Sequence, residues 1–180
     1  MAVNRTRAFD TPRFSLSEFH SNDALGLYLL NRSTEALRYT GDVPFPSVAA
    51  ASEFIDNYDC YERLGFGRWA VHEKTSGAFA GWCGLGMARE DEDIDIGFRF
   101  LPAVWGRGYA TECAQATLTH ALQVLRVVRV IGRAHPQNLA SIRVLQKIGM
   151  QFVAEQQQED GRWAIYAIER SCRGTMGSVT

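Results

Sequence analysis

The chain has 180 residues, 46% of them hydrophobic and 22% charged, which suits one globular domain with a substantial core. A net charge of −1 argues against a general electrostatic grip on nucleic acid or on an anionic membrane. No stretch approaches the roughly 18 apolar residues of a membrane helix, and the opening MAVNRTRAFD lacks a signal-peptide core. The four cysteines, Cys60, Cys83, Cys113 and Cys172, lie far apart with no C-x-x-C pair. Neither a zinc site nor a disulfide framework is expected, and reduced thiols in a cytoplasmic setting are.

In chain order, residues 1–8 are polar and expected to be loose, with the domain filling 9–170. Phe14 and Leu16 alternate with Ser15 and Ser17, predicting a first strand within Arg13 to Phe19. Asn22 or Asp23 can cap a helix carrying Ala24, Leu27 and Leu30. Tyr39 to Pro46 reads as a loop, and Ser47 opens a second helical region that Gly65 and Gly67 close. Three strands follow: Arg68 to His72, Phe79 to Leu85 and Ile94 to Leu101, the first two joined through Lys74 to Gly77. In the third, Ile94, Ile96, Phe98 and Phe100 share one face while Asp95, Gly97 and Arg99 share the other. The acidic run Glu90 to Asp93 before it reads as a solvated turn.

A glycine-bearing turn then leads into a long helix from about Tyr109 to Leu125. Val127 to Ile131 reads as a buried strand, and Asn138 caps a helix that ends at Gly149. Two closing strands, Phe152 to Gln157 and Ala164 to Glu169, turn at Asp160-Gly161, and 171–180 is expected to be a flexible tail. This order predicts a mixed α/β (α+β) domain.

The turn Trp105-Gly106-Arg107-Gly108 allows close backbone approach to a ligand, and the helix after it offers unpaired N–H groups suited to a pyrophosphate. An ordinary glycine turn before a helix fits the same residues. The triphosphate loop G-x-x-x-x-G-K-[ST] is absent, and Ala110 where a third glycine should stand makes a poor dinucleotide fingerprint.

W-G-R-G-Y-A-T-E after a strand, followed by H-P-Q-N-L-A-S-I-R-V-L-Q-K-I-G-M, resembles the GNAT family of N-acetyltransferases. The similarity is nearest to its RimJ/RimL-like branch, named for enzymes that acetylate N-terminal amines of ribosomal proteins. It extends to R-Y-T-G at Arg38 and G-F-G-R-W-A-V at Gly65. The resemblance implies a mostly antiparallel twisted sheet flanked by helices, with acetyl-CoA as co-substrate and no metal. It implies an amine acceptor, either a protein N-terminus or a small molecule, with no nucleic-acid or membrane partner, and it admits a homodimer. A non-catalytic acetyl-CoA-binding module is the remaining reading.

By the same resemblance, the backbone of Phe100 and Leu101 pairs with the pantetheine arm. Main-chain groups of Gly106, Arg107, Gly108, Tyr109, Ala110 and Thr111 hold the pyrophosphate. Asn138 faces the cofactor arm, although it also serves as a helix cap. The family's tyrosine acid falls on Leu145, so that acid is absent here. Ser141 stands near the coenzyme sulfur, or is a plain first-turn serine. Asp95 is the candidate base, or a solvated strand carboxylate. Tyr39, Phe45 and Trp69 are candidates for the acceptor pocket, although aromatics of this kind are more often plain core.

Overall fold

The computed structural model describes residues 6–88, 93–158 and 161–170. The expected tail 171–180, residues 1–5, Asp160 of the closing turn and most of the acidic run lie outside them.

Among the described residues eight strands form one sheet in the order β1-β2-β3-β4-β5-β6-β8-β7. They are β1 (Arg7–Asp10), β2 (Phe14–Ser17), β3 (Arg68–Glu73), β4 (Phe79–Met87), β5 (Ile94–Phe100), β6 (Arg129–Ala134), β7 (Gln151–Gln158) and β8 (Gly161–Glu169). Among these eight strands only β5 and β6 run parallel, so the predicted mixed α/β, mostly antiparallel architecture is the one observed.

Helices cover both faces. On one lie α5 (Tyr109–Thr119), extended by a π-helical turn at His120–Val124, and α6 (Leu139–Lys147). Cys113, Ala114 and Leu118 of α5 and Leu145 of α6 pack there on Val71, Leu85, Ile96, Phe100 and Val130. On the other lie α1 (Ala24–Arg32), α2 (Thr34–Leu37) and α3 (Val48–Asp56), while α4 (Cys60–Leu64), just before β3, packs Tyr61 and Leu64 against the larger core. Ala24 and Leu27 of α1 and Ala51 and Ile55 of α3 form a smaller core, with Phe45, Phe79 and Trp82 against it. Among the described residues no helix is long and apolar enough to cross a membrane.

Several boundaries differ from the expected ones for packing reasons. β1 begins inside the segment expected to be loose, because Phe9 packs edge-on to Trp69 (5.2 Å) and stacks on His120 (4.8 Å). The second helical region is broken after Asp56, and α4 ends on the left-handed Gly65. β6 starts two residues later than the β-branched run suggests, with Val128 at 66% exposure, and continues to Ala134. Asn138 caps α6 as expected, its Oδ1 accepting from the Ser141 N–H at 3.1 Å.

Candidate active site

β5 has one bonded edge and one open edge. Its pairing with β4 runs the whole way from Ile94 to Phe100, but its pairing with β6 stops at Ile94↔Val130 and Asp95↔Ile131. Past Asp95 the two parallel strands part. The Leu101 N–H donates to Ala80 O (2.9 Å), and strand alternation therefore turns the N–H and C=O of Phe98 and Phe100 toward the gap. The Phe100 carbonyl is taken by the Trp105 indole N–H at 2.7 Å. This revises one sequence expectation: Leu101 faces β4, and Phe98 and the Phe100 N–H carry the open edge.

The chain turns out of β5 through a 3₁₀ turn at Pro102–Val104 into the glycine loop. Gly106 and Gly108 both have φ of +75°, a conformation that side-chain-bearing residues rarely adopt. Gly108 is the N-cap of α5 and supplies no capping side chain. The Glu112 N–H is bonded back to Gly108 O (3.1 Å), so the N–H groups of Tyr109, Ala110 and Thr111 precede the first intrahelical bond. Uncapped amides at the positive end of a helix make an anion seat.

The loop is braced by the turn between β1 and β2. Arg13 Nη1 donates to Arg107 O (3.0 Å), Arg13 Nε to Glu112 (2.6 Å), and the Thr11 hydroxyl to Glu112 (2.7 Å). Burial works against the charged Glu112, but these hydrogen bonds outweigh it and hold its carboxyl below the ordinary value.

On the far wall of the gap, α6 follows directly from β6. Asn138 spends its carbonyl oxygen on the cap, and the half-buried Ser141 hydroxyl makes no hydrogen bond to the described residues. Leu145, where the family's tyrosine would stand, is 1% exposed and lies against Gly132; a Cβ there would meet Leu145 Cδ2 at 2.6 Å. No acid can act from that position.

The opposite face of the same strand carries the polar cluster. Cross-strand register sets Arg68 beside Gly84, Gly84 beside Gly97, Trp82 beside Arg99 and Gly86 beside Asp95. The Arg68 guanidinium lies flat over this glycine floor, where a Cβ at Gly97 would come within 2.6 Å of its Nη1. It reaches both oxygens of Asp95 (2.9 and 3.0 Å) and the carbonyl of Gly84 (2.7 Å). Burial alone would lower the Arg68 pKa; the adjacent Asp95 carboxylate reverses that and raises it. Asp95 is thus a buried partner of an arginine, not a solvated strand carboxylate, and is 6% exposed.

A cleft of about 340 Å³ opens above this cluster, between the sheet and α1, α3 and the loop before α3. Phe45 lines it, together with Arg68, Trp82, Arg99, Asn31 and Asp42, which were not singled out from the sequence for such a pocket. Tyr39 instead stacks on His135 at the end of β6 (5.2 Å, 21°). Trp69 points through the opposite face of β3 into the core, 3% exposed against Phe9 and His120. It shares that face with Val71, and the sequence alternation Trp69, Val71 against Arg68, His72 carried the signal.

A model of the family described as "Acetyltransferase (GNAT) domain" matches residues 13–151. The chain belongs to the GNAT family. Two curated relatives are Bacillus subtilis (strain 168) YkkB, 34% identical, and the N-acetyltransferase p20 of Bacillus licheniformis, 26% identical. The YkkB match spans 53% of this chain and 58% of YkkB; the p20 match spans 78% and 80%. Among solved structures, spermidine N-acetyltransferase of Vibrio cholerae, in complex with CoA and spermine, aligns with a TM-score of 0.74 at 13% identity. It covers 88% of this chain and 96% of its own. RimJ of Mycobacterium smegmatis, in complex with CoA-disulfide, aligns at 0.75 and 16%, covering 87% and 81%. These two likenesses concern the fold.

As a member of the GNAT family the protein is an acyltransferase, and two of its thiols, the buried Cys83 and Cys113, are poorly poised for the chemistry. Burial pushes the Cys83 thiol up to about 12 and the Cys113 thiol higher still. Replacing all four cysteines by alanine or serine should therefore leave most of the activity in the folded variant. An acetyl-enzyme on any cysteine, formed and consumed at the rate of turnover, would overturn that expectation.

Proposed function

We propose that this GNAT enzyme moves the acetyl group of acetyl-CoA onto the α-amine at a peptide or protein N-terminus, by direct attack within a ternary complex. One observation carries the reading. The open edge of β5 ends at an uncapped helix N-terminus, and a cleft approaches the same strand from its opposite face.

Acetyl-CoA supplies a thioester carbon open to attack by a neutral amine. On this reading the backbone of Phe98 and Phe100 takes its pantetheine arm as an added strand. The N–H groups from Gly106 to Thr111 hold the pyrophosphate, and the free Asn138 amide faces the arm. Ser141 donates a hydrogen bond toward the departing thiolate, the role left open by Leu145. Asp95 draws the proton from the amine through a water held at the Asp95–Arg68 pair, since both of its oxygens are occupied by Arg68.

The acceptor is tested by incubating the enzyme with labelled acetyl-CoA, a peptide library and a panel of small amines, then reading mass shifts. Label on peptide N-termini supports the proposal. Label confined to small amines favours a second reading, a small-molecule acetyltransferase like the spermidine enzyme, for which the modest size of the cleft speaks.

Cofactor binding has its own test. Acetyl-CoA should raise the melting temperature of the wild type. Gly108→Val, which strains a backbone held at φ +75°, should abolish that shift while the protein stays folded. Full retention of the shift would remove the loop from the cofactor site.

A further inference from the structure

We infer that the acceptor carries a carboxylate close to its amine, and that Arg99 binds this carboxylate in the place now held by Asp42. The inference rests on the acetyl-transfer reading and names the acceptor's chemistry.

The cleft is lined by two guanidiniums and one carboxylate. Arg68 is committed to Asp95 beneath the cleft surface. Arg99 is different. Its side chain is only 10% exposed, yet its carboxylate partner, Asp42, is 50% exposed and comes from the loop that follows Gly41. A guanidinium this buried needs a counter-charge. Because Asp42 is half exposed on a loop, a ligand carboxylate can take its place without leaving the guanidinium unpaired. Asn31 Oδ1 holds Nη1 at 2.9 Å and fixes the plane of the fork, leaving a geometry suited to a carboxylate.

The Trp82 face of this wall offers no seat for a polycation. The Trp82 ring is the aromatic surface a ligand ammonium would choose, but Arg68 and Arg99 each lie 5.4 Å from its centroid. Two guanidiniums beside the entering amine also favour its neutral form, which is the form that attacks. The rest of the lining, including Phe19, Val43, Phe45 and Phe54, accepts an apolar side chain. The matching class is an apolar amino acid, or a peptide whose first residues bring a carboxylate.

Matched acceptors test this directly: leucine against leucinamide, the dipeptide amide Leu-Asp against Leu-Asn, and spermidine, each with labelled acetyl-CoA. At least one acid should exceed its uncharged counterpart in kcat/KM by about tenfold or more, the worth of one charge-assisted pair. Which pair shows the difference distinguishes a free amino acid from an acidic N-terminus. Arg99→Gln should collapse the ratio through KM. Asp42→Asn should lower KM for the acid relative to the amide by removing the competing carboxylate. Equal use of acids and amides, preference for spermidine, or an unchanged ratio in Arg99→Gln overturns the inference.

A binding readout separates this from failure of acetyl transfer itself. With CoA present, N-acetylleucine should stabilise the wild type against heat more than N-acetylleucinamide does, and Arg99→Gln should erase the difference. If no amine is acetylated, the transfer reading fails, and this comparison still decides the carboxylate site. Equal shifts for acid and amide count against that site.

Discussion

Asp95→Asn is expected to lower turnover by at least about tenfold at neutral pH, because general-base help is worth on the order of 10²–10⁴-fold. Acetyl-CoA should still raise the melting temperature, since the glycine loop and the open edge of β5 are untouched. Raising the pH should recover part of the loss, as more of the acceptor arrives as neutral amine without assistance. Asp93→Asn is the control. Asp93 lies outside the cleft, paired with Arg129, and its loss should leave turnover near the wild-type value. Wild-type turnover in folded Asp95→Asn would leave Ser141 and solvent to carry the proton chemistry.

Arg68→Met should cost about 3–5 kcal/mol of stability, the usual penalty for leaving one member of a buried ion pair alone. In a domain of this size that corresponds to a fall in melting temperature of roughly 6–20 °C. The penalty arises because Asp95, 8% exposed at its side chain, would be left facing a methionine over a floor of glycines. Arg68→Met combined with Asp95→Leu should regain much of the loss, and its activity should remain low. If the double variant is no more stable than the single, the isolated charge is not the source of the cost. Calorimetry on the three proteins reads this directly.

These two residues also show what the sequence could and could not reveal. The glycine turn at Gly106 and Gly108, the cap at Asn138 and the alternation along β5 were legible because each is local, set within a few residues of chain. Asp95 could be placed on the correct face for the same reason. Its partner could not be named. Arg68 reaches it across two strand pairings and 27 residues of sequence, and only the register of β3 on β4 and β4 on β5 brings them together. The glycines at 84, 86 and 97 were the visible trace of that crossing, a run of missing side chains on one face. For Trp69 a pocket role and a core role were both open, and its parity with Val71 is what decides for the core. The direction of the Leu101 N–H likewise depended on which edge of β5 meets β4.

The half-paired state of β5 also fixes how its amides exchange with solvent deuterium. Gly97, Arg99 and Leu101 direct their N–H groups at β4 and should be slow; the amides of Phe98 and Phe100 face the gap and should be fast. Along one strand, protection should therefore alternate residue by residue. Saturating acetyl-CoA should silence the fast set by acting as the missing neighbour, turning an alternating strand into a uniformly protected one.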